Sequence, residues 1–295
     1  MGKTSIEWVK GADGVDGMSW NPIRARHKAT GKEGHACVRV SPGCLRCYAA
    51  SMNRWRGTGV DYTVPGLEQV EVYLEEALLE PLRWRKPRQV FVCSMTDLFG
   101  EFVKDEWIDK VYAVMALAEQ HTFLCLTKRP ARRLKYLAGS APCTQFADLM
   151  HSQHIGAATW PGWPLPNVLE GTSVCTQEEA DKLIPIMLQT PAALRWLSIE
   201  PILEAIEIPL CHMLDWVVVG GESGQRARPT HVSWIRSIIE QCKAACCPVF
   251  CKQLGKHPMI NTEPGVPLLA PLELCDPKGG DFFEWPADLR VRQMP

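Results

Sequence analysis

From residue 67 onward the chain repeats one pattern, a short apolar run followed by a longer amphipathic stretch. That alternation restricts it to folds built on a parallel sheet. The apolar runs are "QVFVCSM" (89–95), "TFLCLT" (122–127), "VLEGTSV" (168–174), "LRWLSIEP" (194–201), "DWVVVGG" (215–221) and "CPVFCKQ" (247–253). Each is rich in residues suited to a strand buried on both faces. Between them, "DEWIDKVYAVMALAEQ" (105–120), "TQEEADKLIPIMLQT" (176–190) and "SWIRSIIEQCKAA" (233–245) carry helical periodicity, the second with Thr176 as N-cap and acidic residues in its first turn. "LEQVEVYLEEALLEPLRW" (67–84) also reads as a helix.

The strands end alike, in the polar clusters "SMTD", "TKR", "GTS", "SIEP", "GGESG" and "CKQ". Functional groups of α/β proteins gather at the C-terminal ends of parallel strands, so six such ends point to a site there. No G-x-G-x-x-G follows the first strand, which favours a barrel over a dinucleotide-binding sheet. The expected fold is α/β, a full or partial (β/α) barrel over residues 1–255 with an insertion at about 140–166. Residues 256–295 form a C-terminal extension packed on the barrel. The insertion, with two tryptophans, suits a lid or a partner surface.

Thirty-two basic against thirty-three acidic residues leave the net charge at −1, so only local patches bear on polyanionic partners. Four exist, "RARHK" (24–28), "RWR" (54–56), "RWRKPR" (83–88) and "KRPARR" (128–133). Trp55 and Trp84 are interleaved where bases can stack, although solvated helix faces carry such runs too. No run approaches the roughly 20 apolar residues of a membrane span, and the polar start "MGKTSIEWVKGADG" is no signal peptide. A cytoplasmic location with reduced thiols is expected. The thirteen cysteines then read as packing, metal ligands or reactive groups rather than a disulfide framework.

Three of them lie close together in "CVRVSPGCLRC" (37–47). Four thiolates close a zinc site, whereas three leave one iron of a four-iron cluster free for a ligand that is not protein. Pro42 and Gly43 allow a tight turn between Cys37, Cys44 and Cys47. His35 can equally complete a Cys3His zinc site, and spacing alone does not choose between the two.

"SPGCLRCYAA" resembles the cluster loop of the radical S-adenosylmethionine (SAM) superfamily, in which an aromatic residue often follows the last ligand. Over nearly its whole length the chain is similar to a phage-associated three-cysteine-motif family of unknown function, itself radical-SAM-like. The matching stretches are "SIEW", "WNPI", "VSPGCLRCYA", "CSMTDLFGE", "LTKRP", "SIEPIL", "DWVVVGGESG", "KQLG" and "KGGDFFEWPADLRVRQMP". "CSMTD" and "LTKR" also resemble, more distantly, the spore photoproduct lyase branch. The first cysteine gap is three residues longer than the superfamily's usual C-x3-C-x2-C.

The resemblance implies a barrel of the radical SAM type, with a [4Fe-4S] cluster on Cys37, Cys44 and Cys47 and SAM on its open iron. It implies cleavage of SAM and hydrogen abstraction from a substrate, and phage association fits a nucleotide or a modified DNA base. An electron donor such as flavodoxin or ferredoxin, and possible nucleic-acid or protein partners, follow. Ser94, Thr96 and Asp97 would face the methionine ammonium, Lys128 the SAM carboxylate, and Ser173 and Glu200 the ribose. Glu222 in "GGESG" would face the mouth, and Cys93 would serve as a hydrogen donor. Each has a plainer reading: a helix N-cap for Asp97, a surface cation for Lys128, a turn for "GGESG" and core packing for Cys93. A carboxylate delivered by so apolar a strand as Glu200 needs a cation, for which Arg195 or Lys252 is at hand. The alternative for the whole chain is a zinc-binding, nucleic-acid-interacting or partner protein without radical chemistry.

Overall fold

The computed structural model describes residues 2–10, 17–139, 143–152, 159–261 and 269–295. Eight strands form one mostly parallel sheet: β1 (Gly2–Lys3), β2 (Gly17–Trp20), β3 (Gln89–Val92), β4 (Thr122–Thr127), β5 (Val168–Ser173), β6 (Leu194–Ile199), β7 (Trp216–Gly220) and β8 (Val249–Gln253). They lie in the sheet in the order in which they occur in the chain. β1 runs antiparallel to β2, while β2 with β3, β3 with β4, β6 with β7 and β7 with β8 are parallel. No pairing among the described residues joins β8 to β1, so the sheet is not a closed barrel.

The chain divides into two compact units. The first comprises Met1–Val40, Cys47–Gly171 and Gln189–Leu194, and the second Ser41–Arg46, Thr172–Leu188 and Arg195–Pro295.

In the first unit, β2 to β4 bury Trp20, Val90, Val92 and Phe123 against α2 (Asp105–Leu117). That helix presents Ile108, Val111, Tyr112 and Met115, the i, i+3, i+4, i+7 stripe of a core-facing helix. The run 67–84 is not a helix. Val70–Leu74 is a strand paired antiparallel with Ile23–His27, and Glu76–Arg83 is a 3-10 helix containing Pro81. Leucine and glutamate suggest a helix there. The β-branched Val70 and Val72 with Tyr73 instead fit the pleated edge that Ile23–His27 offers, and Pro81 lacks the N–H that an α-helix needs. The two tryptophans of the 140–166 insertion pack inward. Trp160 meets Phe146 edge-on at 5.1 Å, and Trp163 packs on Tyr112 at 5.7 Å and donates its indole N–H to the Leu137 carbonyl. Residues 140–142 and 153–158 of that insertion, and 262–268 of the expected extension, lie outside the described residues.

In the second unit every residue of β7 is buried, as a strand covered on both faces requires. Val217 and Val219 join the core made with α4 (Gln177–Leu188) and α5 (Val232–Ala244). Trp216 faces the other way, onto Trp196 and Phe250. Thr176 caps α4, accepting from the Glu179 N–H as its position predicts. The last residues also belong here. Trp216 donates to the Gln293 carbonyl, Trp285 and Leu289 are in the core, and the Arg292 guanidinium sits about 5 Å over three aromatic rings, those of Phe250, Phe282 and Trp285.

His35 gives the first unit a pH dependence. Its ring is buried with Nδ1 at 3.2 Å from the Ile23 carbonyl, and the His35 backbone N–H donates to Asn53 Oδ1. Burial, with Arg24 nearby, depresses its pKa from 6.5 to about 4. The unfolded chain therefore binds the extra proton between those values, and stability falls as pH drops from 6.5 toward 4, by at most ~1.4 kcal/mol per pH unit. Urea titrations across this window should show that slope in the wild type. A His35→Gln chain that folds should lose it; an unchanged slope would assign the dependence to other groups.

Candidate functional site

The cysteine segment is shared between the units, Cys37 and Cys47 with the first and Ser41–Arg46, including Cys44, with the second. All three cysteines are outside disulfides and partly exposed, unlike the buried Cys93, Cys125, Cys175 and Cys251.

In the first unit, strand ends meet the segments that carry Cys37 and Cys47. β2 is followed by Asn21, whose amide donates to the Ser94 hydroxyl and whose side-chain carbonyl oxygen accepts from the Met95 N–H at 2.9 Å. This fixes the turn after β3. Tyr48, which opens α1 (Tyr48–Arg56) next to Cys47, donates to the Ser94 carbonyl, and Tyr62 donates to the Met95 carbonyl at 2.7 Å. The Thr96 hydroxyl donates to the Ala36 carbonyl, one residue before Cys37. Cys37, Cys47 and Met95 pack on one small cluster with Ala49, Ala50 and Tyr62. Both cysteines are thereby held at the C-terminal end of β3, a part of the sheet suited to chemistry.

Asp97 and Arg129 lock this arrangement. The Asp97 carboxylate is buried and accepts from the Phe99 N–H, the Thr127 hydroxyl, the Lys128 N–H and Arg129 Nη1, at 2.7–3.1 Å. Those four donors match the roughly four lone-pair sites of a carboxylate. Asp97 heads an Asx turn rather than a helix, since α2 begins only at Asp105. Arg129 also donates to the Val38 carbonyl, next to Cys37, and to Glu101. Lys128 is half-buried at the same strand end. Cys93 is buried in the apolar core with φ at +54°, and burial pushes its thiol far above the ordinary range.

In the second unit, residues that follow two strand ends, those of β5 and β7, hold residues 41–46. Arg228 clasps the buried Glu222 carboxylate, Nη2 to Oε1 at 2.6 Å and Nε to Oε2 at 2.9 Å, and its N–H adds a third bond at 2.7 Å. Arg228 Nη1 then donates to the Pro42 carbonyl at 3.0 Å, while Arg46 lies 3.8 Å from Glu222 and donates to the Arg226 carbonyl. Glu222 thus anchors the Cys44 turn. Ser41 accepts from the Gly43 N–H, and a Cβ built on Gly43 would lie 2.3 Å from Cys175 Sγ. Gly43 is there for this close approach. Glu200 has the expected cation: Lys252 Nζ is 2.8 Å from Oε1, and the Ser198 hydroxyl donates to Oε2. Arg195 stands elsewhere, its N–H on Asp215. Ser173 is buried at the end of β5.

Sequence reasoning missed Asn21, Arg129, Arg228 and Tyr62, and it marked Tyr48 only as the aromatic residue after Cys47. Asn21 carried a signal, an amide directly after a tryptophan and before Pro22. Arg129 lies inside the basic run 128–133, which reads as a surface patch, and Arg228 lies in a stretch with no such signal. Trp55 is exposed between Arg54 and Arg56, whereas Trp84 is half-buried against His121. Also unforeseen are Cys211, Cys242 and Cys247, whose sulfurs all lie within 4.8 Å of one another.

The Gly43 contact gives a sharp test. Gly43→Ala should destabilise the chain by about 1–3 kcal/mol, the usual range for overpacking. Cys175→Ala removes the sulfur, leaving the Cys175 Cβ 3.5 Å away, and should restore most of that loss in the double mutant. Thermal melts of the four chains would show it, and additive losses would mean the loop does not rest on Cys175.

No curated protein and no solved structure matches the chain. Residues 3–269 match the family model described as "Protein of unknown function (DUF5131)", and the chain belongs to that family.

Proposed function

We propose that this protein is a radical SAM enzyme in which Cys37, Cys44 and Cys47 hold a [4Fe-4S] cluster with one open iron, on a sheet related to the partial barrel of that superfamily. One observation carries the reading: the segments bearing Cys37 and Cys47 are latched, through Tyr48, Thr96 and Arg129, to the turns that follow β3 and β4.

The donor set fits such a cluster. Three partly exposed cysteines outside disulfides offer soft ligands for iron. A closed zinc site would bring its donors to about 3.8 Å of one another, from Zn–S bonds near 2.3 Å. Among the described residues His35, Cys37 and Cys47 do not form a group with donor atoms within 4.8 Å. A four-iron cube spaces its thiolates more widely than a single ion does. When bound, the reduced cluster with SAM supplies hydrogen-atom abstraction.

The chain's own residues bind and orient. Ser94, Thr96, Asp97 and Glu222 spend their hydrogen bonds on shaping the two halves of the cysteine segment, so they act as positioning residues. Lys128, half-buried at the end of β4, is suited to a carboxylate of SAM. Glu200, half-buried and paired to Lys252, is suited to ribose hydroxyls. Cys93, buried at the strand end, serves packing. Trp55 and Arg56, exposed at the end of α1 beside the Arg54–Asp61 pair, suit a nucleotide or nucleic-acid substrate. A flavodoxin-like or ferredoxin-like protein would supply the electron.

Anaerobic purification with iron and sulfide analysis, followed by electron paramagnetic resonance of the reduced protein, tests the reading. A four-iron signal is expected that shifts on adding SAM and disappears in Cys44→Ala. Reconstituted protein that binds no iron, or whose signal ignores SAM, would overturn it.

A further inference from the structure

The second unit contains another group of three cysteines, far from residue 44 in sequence and built by local chain geometry. α5 ends in a Schellman motif. The Cys247 N–H bonds the Cys242 carbonyl at 2.9 Å, and the Cys246 N–H bonds the Lys243 carbonyl at 3.2 Å. This motif ordinarily brings together two apolar side chains, one from the last turn and one just past the end. Here both are thiols, Cys242 and Cys247.

The third thiol arrives on a separate segment. Gln241 of α5 fastens residues 206–208 through its amide, donating to the Ile206 carbonyl at 2.9 Å and accepting from the Ile208 N–H at 2.7 Å. The chain then enters the 3-10 turn Cys211–Met213, which sets Cys211 beside α5. The three sulfurs lie within 4.8 Å of one another, and all three residues are at least nine-tenths buried.

The backbone is distorted where two of these thiols are presented. Leu210 and Cys246 have φ of +55° and +52°, and each directly precedes a cysteine of the group. The left-handed conformation costs a residue with a Cβ roughly 1–2 kcal/mol, and glycine or asparagine usually fills it at a helix end. Simple packing does not call for three sulfurs from two segments at such turns. A thiophilic ion does, because single-ion coordination demands sulfurs nearly this close.

We propose that Cys211, Cys242 and Cys247 form a structural zinc site that staples the Cys211–Met213 turn to the end of α5. The fourth position falls to His212, the exposed neighbour of Cys211, or to water. Three thiol protons leave as the ion binds, so affinity falls as pH drops. The site is independent of the radical chemistry proposed above and would persist in a chain without it.

The test uses the full chain with Cys37, Cys44 and Cys47 all changed to Ser, so that the loop cannot contribute. One equivalent of zinc per chain is expected by elemental analysis. Cobalt(II) in its place should give thiolate-to-metal charge-transfer absorption of three-sulfur intensity, and chelation should lower the melting temperature. Cys211→Ser or Cys242→Ser added to that chain should abolish the cobalt spectrum, while Cys246→Ser and Cys275→Ser should leave it. A folded chain that binds neither ion, or one whose spectrum survives Cys211→Ser, would overturn the proposal. So would a Cys242–Cys247 disulfide found by mass spectrometry in protein prepared without air. Should the triple variant not fold, wild type and Cys211→Ser are compared directly. Zinc should then drop by one equivalent with iron unchanged, and no drop would overturn the site.

Discussion

A carboxylate removed from water must be given donors, and in the first unit that requirement fixes the cysteine-bearing backbone. Asp97 collects two backbone N–H groups, a hydroxyl and a guanidinium from two successive strand ends. The guanidinium it holds reaches on to the carbonyl beside Cys37. Breaking a buried pair of this kind typically costs 3–5 kcal/mol, because the remaining charge is stranded. The Asp97–Arg129 pair therefore sets where the first half of the cysteine segment lies more than any direct contact of the cysteines does.

The second unit solves the same problem with different residues. Glu222 and Arg228 form a bidentate pair whose spare donor holds Pro42, and Gly43 fits only because it lacks a side chain against Cys175. In both units an acid–arginine pair at a strand end, rather than apolar packing, grips a peptide carbonyl of the cysteine segment. Carbonyls outside α-helices and sheets need such partners, and charged donors make the stronger hydrogen bonds.

The six long strands were legible because each is a compact apolar run bounded by polar turns, and the parallel pairing of β3 with β4, β6 with β7 and β7 with β8 agrees with the alternation of strand and helix patterns. β2 was not read, since "GMSW" is only four residues in a polar setting, and Val70–Leu74 was hidden in a leucine- and glutamate-rich stretch. Tertiary pairing with Ile23–His27 decided that segment against its local preference. Of the site residues, the sequence marked the acids Asp97, Glu200 and Glu222 through their place after apolar strands, and Lys252 as a cation for Glu200. It did not say which arginines would answer the other two acids, because that depends on turn geometry. The triad of Cys211, Cys242 and Cys247 was invisible for the same reason. Its one local sign, C-x4-C across a helix end, acquires meaning only once the Schellman turn and the Gln241 bridge are known.

The sheet order has a consequence for how the chain assembles. Because neighbours in the sheet are successive in the chain, each βα segment can dock on the one made just before it, at a small loop-closure cost. Residues 41–46 are the exception. Their anchors lie far downstream, Cys175 at 134 positions from Ser41 and Arg228 at 186 from Pro42. During synthesis the Cys44 turn must wait, with Cys37 and Cys47 already seated, until most of the chain has emerged. The Cys44 thiol thus stays accessible to a delivery system through most of translation, and its turn is fixed only near the end.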